Sequence, residues 1–275
     1  MLLSTTVQPP IVSLFSSSSS DPLELFTVAK DEKSSGASQV LLVKDAPERQ
    51  SSPSATIIPL PSVGSSIENG YGYSLFQTVL HIQSPNPRST FIHSRGELGV
   101  RHHWLHIQVR NLGRVWSFEV GVVDHLKRRG ILRFSTFQVR RVSFSDSGTG
   151  SRIILPKRFR FFIDALQTSP RLHLSRDDTG DKPALLHLPL SFPHSSRSIL
   201  TPWSTVSVHF PSLLPHFSDR SLMDDEEAII GPGPNGTFSH VSYVKIHATC
   251  RLRRMWFSET GSHDQGVPWE FKLYG

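Results

Sequence analysis

The chain has 275 residues, enough for one domain with insertions or two small domains. Hydrophobic residues make up 37%, too few for the whole length to share a core, and no apolar run approaches a membrane span. The net charge of +6 favours an acidic partner without choosing among nucleic acid, an anionic membrane face and an acidic protein surface such as the tails of tubulin. The one cysteine, Cys250, rules out an intrachain disulfide and fits a reducing compartment. Met1-Leu2-Leu3 lacks the basic flank and length of a secretory signal, so the expectation is a soluble intracellular protein with no membrane partner.

In chain order, Ser16 to Ser20 is a short low-complexity tract. Residues 45–72 are rich in Ser, Pro and Gly. Residues 143–202 mix Ser, Pro, Arg and His with short apolar patches, and residues 221–236 carry Asp224-Asp225-Glu226-Glu227 into a Gly-Pro run. Such compositions bury too little apolar surface to offset chain entropy and are expected to be disordered inserts. Between them lie strand signals with a period of two: Leu105, Ile107 and Val109; Trp116, Phe118, Val120 and Val122; Leu132 and Phe134; Val206, Val208 and Phe210; Val244 and Ile246. Each predicts a strand with one buried and one solvated face. Asn111-Leu112-Gly113 reads as the turn joining the first two, and residues 212–217 as a short turn of helix. Asn235-Gly236-Thr237 matches a glycosylation acceptor but reads more simply as a turn. The fold class expected is all-β: a single antiparallel, jelly-roll-like β-sandwich over residues 7–275, interrupted by disordered inserts.

Two blocks carry a resemblance. The first runs Val109-Arg110-Asn111-Leu112-Gly113-Arg114-Val115-Trp116-Ser117-Phe118-Glu119-Val120, then Asp124, Lys127-Arg128-Arg129 and Arg133-Phe134-Ser135. The second runs Val244-Lys245-Ile246-His247-Ala248-Thr249-Cys250-Arg251-Leu252-Arg253-Arg254-Met255-Trp256-Phe257-Ser258, closing on Pro268-x-Glu270-Phe271-Lys272-Leu273-Tyr274. Together they resemble the cilia- and flagella-associated protein 20 family. Thr90-Phe91-Ile92, Leu98-Gly99-Val100, Trp203 with its following strand, and an opening hairpin over residues 10–25 are similar in the same order. Thr249 stands where the family usually has Asn, and residues 143–202 replace a short connection. The resemblance implies a non-catalytic β-sandwich without cofactor, placed at the inner junction of ciliary doublet microtubules and touching tubulin or another axonemal protein. It implies the cytoskeleton of a cilium or flagellum in a ciliated organism, and cytoplasm or nucleus otherwise.

Candidate chemistry is sparse. His102, His103 and His106 fall on a predicted strand, which splits neighbours between faces and leaves no complete metal shell; they read as solvated. His247 and Cys250 lack an oxyanion hole, and Cys250 reads as a buried hydrophobe-like residue. Asp164, Asp177, Asp178 and Asp181 lie in an insert, away from any fixed geometry. Gly231-Pro232-Gly233-Pro234 lacks the donors of a phosphate loop. The basic clusters remain: Lys127, Arg128 and Arg129, expected to begin a strand, and Arg251, Arg253 and Arg254, with Arg251 and Arg253 on one face. They are the expected partner-binding residues, with Trp256 as a candidate anchor. Tubulin or microtubules lead the partners; nucleic acid ranks behind. A carbohydrate- or single-stranded-nucleic-acid-binding sandwich is the second reading, which aromatics on a solvated sheet face would support. An enzyme ranks last.

Overall fold

The alternating runs form strands. A computed structural model describes residues 7–34, 36–45, 75, 77–137, 170–173, 183–192, 201–223, 233–261 and 268–273. The strands are β1 Ile11–Ser16, β2 Phe26–Ala29, β3 Gln39–Lys44, β4 Thr78–Gln83, β5 Phe91–Ser94, β6 Trp104–Asn111, β7 Ser117–Asp124, β8 Arg129–Ser135, β9 Arg171–His173, β10 Ala184–Pro189, β11 Ser204–His209, β12 Phe238–His247 and β13 Cys250–Ser258. A single turn of helix, α1 Phe210–Leu213, continues into a 3-10 turn over Leu214–Ser218, where the sequence predicts a short helical segment.

These strands make two sheets. Sheet A has the order β11-β6-β13-β4-β3, and β1 pairs β13 beside β4. β4 pairs the start of β13 (Cys250 to Leu252), whereas β1 pairs its second half (Arg254 to Ser258). Sheet B has the order β2-β5-β12-β7-β8-β10-β9. β6 and β7 are joined by Asn111-Leu112-Gly113, where Gly113 takes φ 67°, a conformation that favours glycine. The two sheets share one core, with Leu105, Ile107, Val109, Leu252, Met255 and Phe257 from sheet A and Phe118, Val120, Val122, Leu132, Val244 and Ile246 from sheet B. Phe15 of β1 meets Phe26 of β2 edge-on at 6.0 Å, tying the sheets together at one end. Alternation on β6 and β7 therefore arises as expected, with every second residue interdigitating between the layers.

Four expectations change. Sheet B is mixed, because β10 runs parallel to β8. The opening residues are no hairpin: β1 joins sheet A and β2 joins sheet B. The residues read as inserts are partly built into the fold. Within 143–202 lie β9 and β10, whose Leu172, Leu186 and Leu188 enter the core with Phe192. Asp45 is fully buried, Arg220–Leu222 form a 3-10 turn, and residues 233–236 lead into β12. The remaining residues of those segments, including Asp164, Asp177, Asp178 and Asp181, lie outside the described residues. Finally, β6 and β7 are buried on both faces. The outward His106, Gln108, Arg110 and Glu119 are hydrogen-bonded to neighbours, which is how polar groups are buried without large cost.

Candidate partner-binding site

The outward face of sheet A is organised by one carboxylate. Asp45 follows β3, and its backbone N–H donates to the Gln77 carbonyl at 2.8 Å, extending the β3–β4 pairing. Its Oδ1 accepts from Arg251 Nη1 at 3.0 Å and lies 3.4 Å from Arg110 Nη1. Its Oδ2 accepts from Trp203 Nε1 at 2.9 Å and from the Leu75 backbone N–H at 3.0 Å. Arg251 and Arg110 are register partners on β13 and β6, so strand pairing delivers both guanidiniums to the same acid. Arg251, expected to meet a partner, is thus bound inside the chain, its side chain 17% exposed.

A bulge follows. The register of β13 against β6 shifts between Leu252 and Arg254, and Arg253 sits at the shift. Arg251 and Arg253 do share the outward face, with Arg251 opposite Arg110 and Arg253 bonded to Gln108 two residues along β6. Arg253 is 6% exposed. Its Nη1 donates to Gln108 Oε1 at 2.7 Å and to the Lys272 carbonyl at 2.9 Å, and its Nε donates to Gln77 Oε1 at 3.0 Å. Arg254 is half-buried, its guanidinium 5.2 Å from the Phe271 ring centre. Trp256 is not a surface anchor: it is 3% exposed, stacked on His106 at 4.9 Å and covered by Phe271 at 5.0 Å. The cover is the segment 268–273, whose 3-10 turn Trp269–Phe271 lies over β13, with the Phe271 carbonyl accepting from Gln108 Nε2.

Beside that segment an open groove of about 600 Å³ is lined by Ser18, Lys44, Gln77, Thr78, Arg253, Arg254, Trp269 and Glu270. Trp269 is 80% exposed. Ser17 fixes the near wall, donating its backbone N–H to the Arg253 carbonyl at 2.9 Å and its hydroxyl to the Thr78 carbonyl at 2.7 Å. Of this groove the sequence shows only Arg253 and Arg254. Lys44 borders a stretch read as disordered, and Trp269 occupies the unassigned position of Pro268-x-Glu270.

The other basic cluster lies on sheet B. Lys127 and Arg128 belong to the β7–β8 turn rather than to a strand, which begins at Arg129. Lys127 takes φ 61° at the turn. Arg128 is tied back to Asp124 through Nε at 2.8 Å and Nη2 at 2.7 Å. Lys127 is exposed, and Arg129 is 67% exposed with Glu97 at 3.9 Å. The predicted cations therefore fall on two sheets, and those still open to a partner are Lys127, Arg129 and Arg254.

The histidines expected to be solvated are mostly buried. His102 and His106 are 1% exposed; only His103 reaches solvent. The Ser258 hydroxyl donates to the Thr260 carbonyl at 2.5 Å and so accepts from His106 Nε2–H at 2.8 Å, while Ser207 donates to Nδ1 at 2.9 Å. Burial pushes the His106 imidazole down to about 4. Burial, then Arg133 and His173, push His187 down to about 4 as well. Glu119 behaves in the opposite sense: burial would raise its carboxyl, but the hydrogen bond from His247 and the Arg133 guanidinium outweigh burial and hold it at about 2. Cys250 is fully buried beside the His247 carbonyl, and burial raises its thiol, as a hydrophobe-like cysteine requires. Among the described residues no cluster of three or more His, Cys, Asp or Glu could hold a metal ion, and no helix is long and apolar enough to cross a membrane.

These shifts predict an acid response. Unfolded histidine takes up its proton near pH 6.5, but folded His106 and His187 do so only near 4. Their contribution is complete above about pH 6.5 and is lost as pH falls to about 4, because only the unfolded chain gains protons there. The Glu119 contribution is present above the ordinary 4.5 and is lost as pH falls toward 2. A melting temperature that falls in two stages, the upper one reduced in His106→Gln, is the expected result by circular dichroism. A melting temperature constant between about pH 6.5 and 4 contradicts the burial of these imidazoles.

Residues 55–160 match the model of the CFA20 domain. Over that span the chain is similar to the CFA20 domain. The described part of the span holds β4 to β8, among them β6, an interior strand of sheet A, and β7, the central strand of sheet B. The Val244–Ser258 block and the groove residues Lys44 and Trp269 lie outside the matched span. The CFA20 domain suggests a cilium-associated protein. No curated protein matches the chain.

Proposed function

We propose that the chain is a non-catalytic interaction module that associates with microtubules, using cationic surface positions to hold an acidic protein surface. The CFA20 domain carries this reading. The placement of the cations supports it: Lys44, Lys127, Arg129 and Arg254 lie open or half-open on the two sheets of a rigid sandwich, a distribution that attracts acidic surfaces at low salt. Tubulin is the partner we assign. The carbohydrate or nucleic-acid reading stands second: Trp256 and His106 are covered, and the half-exposed outward aromatics are few, among them Trp104 on sheet A and Phe91 and Tyr243 on sheet B.

Microtubule co-sedimentation of the full chain tests the proposal. The wild type should pellet with microtubules at low salt and release as salt rises. Lys127→Glu with Arg129→Glu, or Lys44→Glu with Arg254→Glu, should weaken pelleting while leaving thermal stability nearly unchanged, because these side chains are exposed or partly so. Reversal at Arg251 or Arg253 is unsuited to this purpose, since both are bound inside the fold. Absence of pelleting by the wild type at every salt concentration removes the microtubule reading.

A further inference from the structure

Among the described residues, the buried guanidinium of Arg253 has no carboxylate partner. Every acceptor it has among the described residues is neutral: two glutamine amide oxygens and one backbone carbonyl. Its Nη2 donates to nothing among them, although the residue lines the groove. The nearby Arg251 and Arg110, by contrast, share Asp45. Burial and the adjacent Arg254 both push the Arg253 guanidinium down, as expected where positive charge gathers without a counter-ion. Lys44 and Arg254 stand at the same groove, and neither has a carboxylate within ion-pairing distance among the described residues. Set against these three cations is one rim acid, Glu270.

We infer that this groove is a receptor for an extended acidic segment of a partner protein, placing a Glu or Asp carboxylate on Arg253 and Arg254 and an apolar side chain on Trp269. Charge complementarity selects the occupant. A carboxylate accepts two N–H groups from a guanidinium fork, and here it supplies the missing charge to one already desolvated. An exposed tryptophan beside arginines has the make-up of a binding hot spot. A nucleic acid fits less well, because its affinity comes from many phosphate contacts along a basic track, whereas this groove offers a short cluster with Glu270 at its rim. The inference deepens the function proposed above and rests on its acidic-partner reading. The groove itself could serve an acidic segment from a protein other than tubulin.

The test uses the full chain and a synthetic glutamate-rich peptide, with its glutamine counterpart and a single-stranded oligonucleotide as comparisons. Binding is read by calorimetry and by tryptophan emission, which Trp269 dominates in its sensitivity to ligand because of its exposure. The glutamate peptide should bind and shift the emission, and the glutamine peptide should not. Lys44→Glu and Trp269→Ala, both at exposed positions that leave the fold intact, should each weaken binding about tenfold, while Arg220→Glu, exposed in the 3-10 turn Arg220–Leu222 away from the groove lining, should leave it unchanged. Equal binding of the two peptides, tighter binding of the oligonucleotide, or full binding by Lys44→Glu and Trp269→Ala overturns the inference. Co-sedimentation of the same variants separates it from the microtubule reading. Peptide binding without pelleting keeps the groove and removes microtubules; unchanged pelleting by both groove variants, with peptide binding weakened, keeps microtubules and gives the groove to an acidic segment of another protein.

Discussion

Asp45→Ala is expected to cost about 3–5 kcal/mol of stability, a large part of the 5–15 kcal/mol that holds a typical domain together. The carboxylate is fully buried and accepts from two guanidiniums, an indole and a backbone N–H. Truncation leaves Arg110, 5% exposed, and Arg251 facing each other across β6 and β13 with no counter-charge. Arg110 keeps its bond to the Thr201 carbonyl at 2.9 Å, which satisfies one donor but not the charge. Asp45→Asn retains shape and one acceptor and should lose less. Lys44→Ala, one residue away and exposed, should stay within about 0.5 kcal/mol of wild type. Urea unfolding, compared through the midpoint at constant slope, measures all three. An Asp45→Ala midpoint equal to that of Lys44→Ala would mean the two arginines find other partners or open to water.

Asp45 also shows where reading the chain alone runs out. Its partners lie 65, 158 and 206 residues away in the chain, so nothing local marks it as more than the edge of a Ser- and Pro-rich stretch. β6 and β7 are legible because each keeps its apolar residues in strict alternation over a full strand. β13 does not, since the bulge at Arg253 interrupts the period and its outward face is mostly arginine; only the family resemblance marks it. β9 and β10 are short and carry Arg171, His173 and His187 among their leucines, which dilutes the hydrophobic signal below what composition can separate from an insert. The candidate site follows the same pattern. Basic residues are visible in sequence, but whether a guanidinium is spent on Asp45, as for Arg251, or meets only neutral acceptors among the described residues, as for Arg253, depends on pairing across strands. Trp269 gains meaning only from the fold of segment 268–273 over β13.

The core makes the second large prediction. Phe118→Ala should destabilise by about 3–5 kcal/mol, the range for removing a buried aromatic ring and leaving a cavity. Phe118 is fully buried near the start of β7. Its ring stacks on Phe134 of β8 at 4.7 Å with an interplanar angle of 11°, and meets Trp116 at 5.4 Å. Both neighbours are themselves held, Phe134 as its register partner and Trp116 by an indole bond to the His247 carbonyl at 3.1 Å, so they cannot collapse freely into the space. For a domain of this size each kcal/mol moves the melting temperature by about 2–4 °C, so the loss should appear as a fall of about 6–20 °C. Phe118→Leu fills more of the volume and should fall less. The double variant with Phe134→Ala should cost less than the sum of the two single losses, because the stacked pair is removed once. Additive losses would show that the two rings do not pack on each other, and a melting temperature equal to wild type would place Phe118 outside the core.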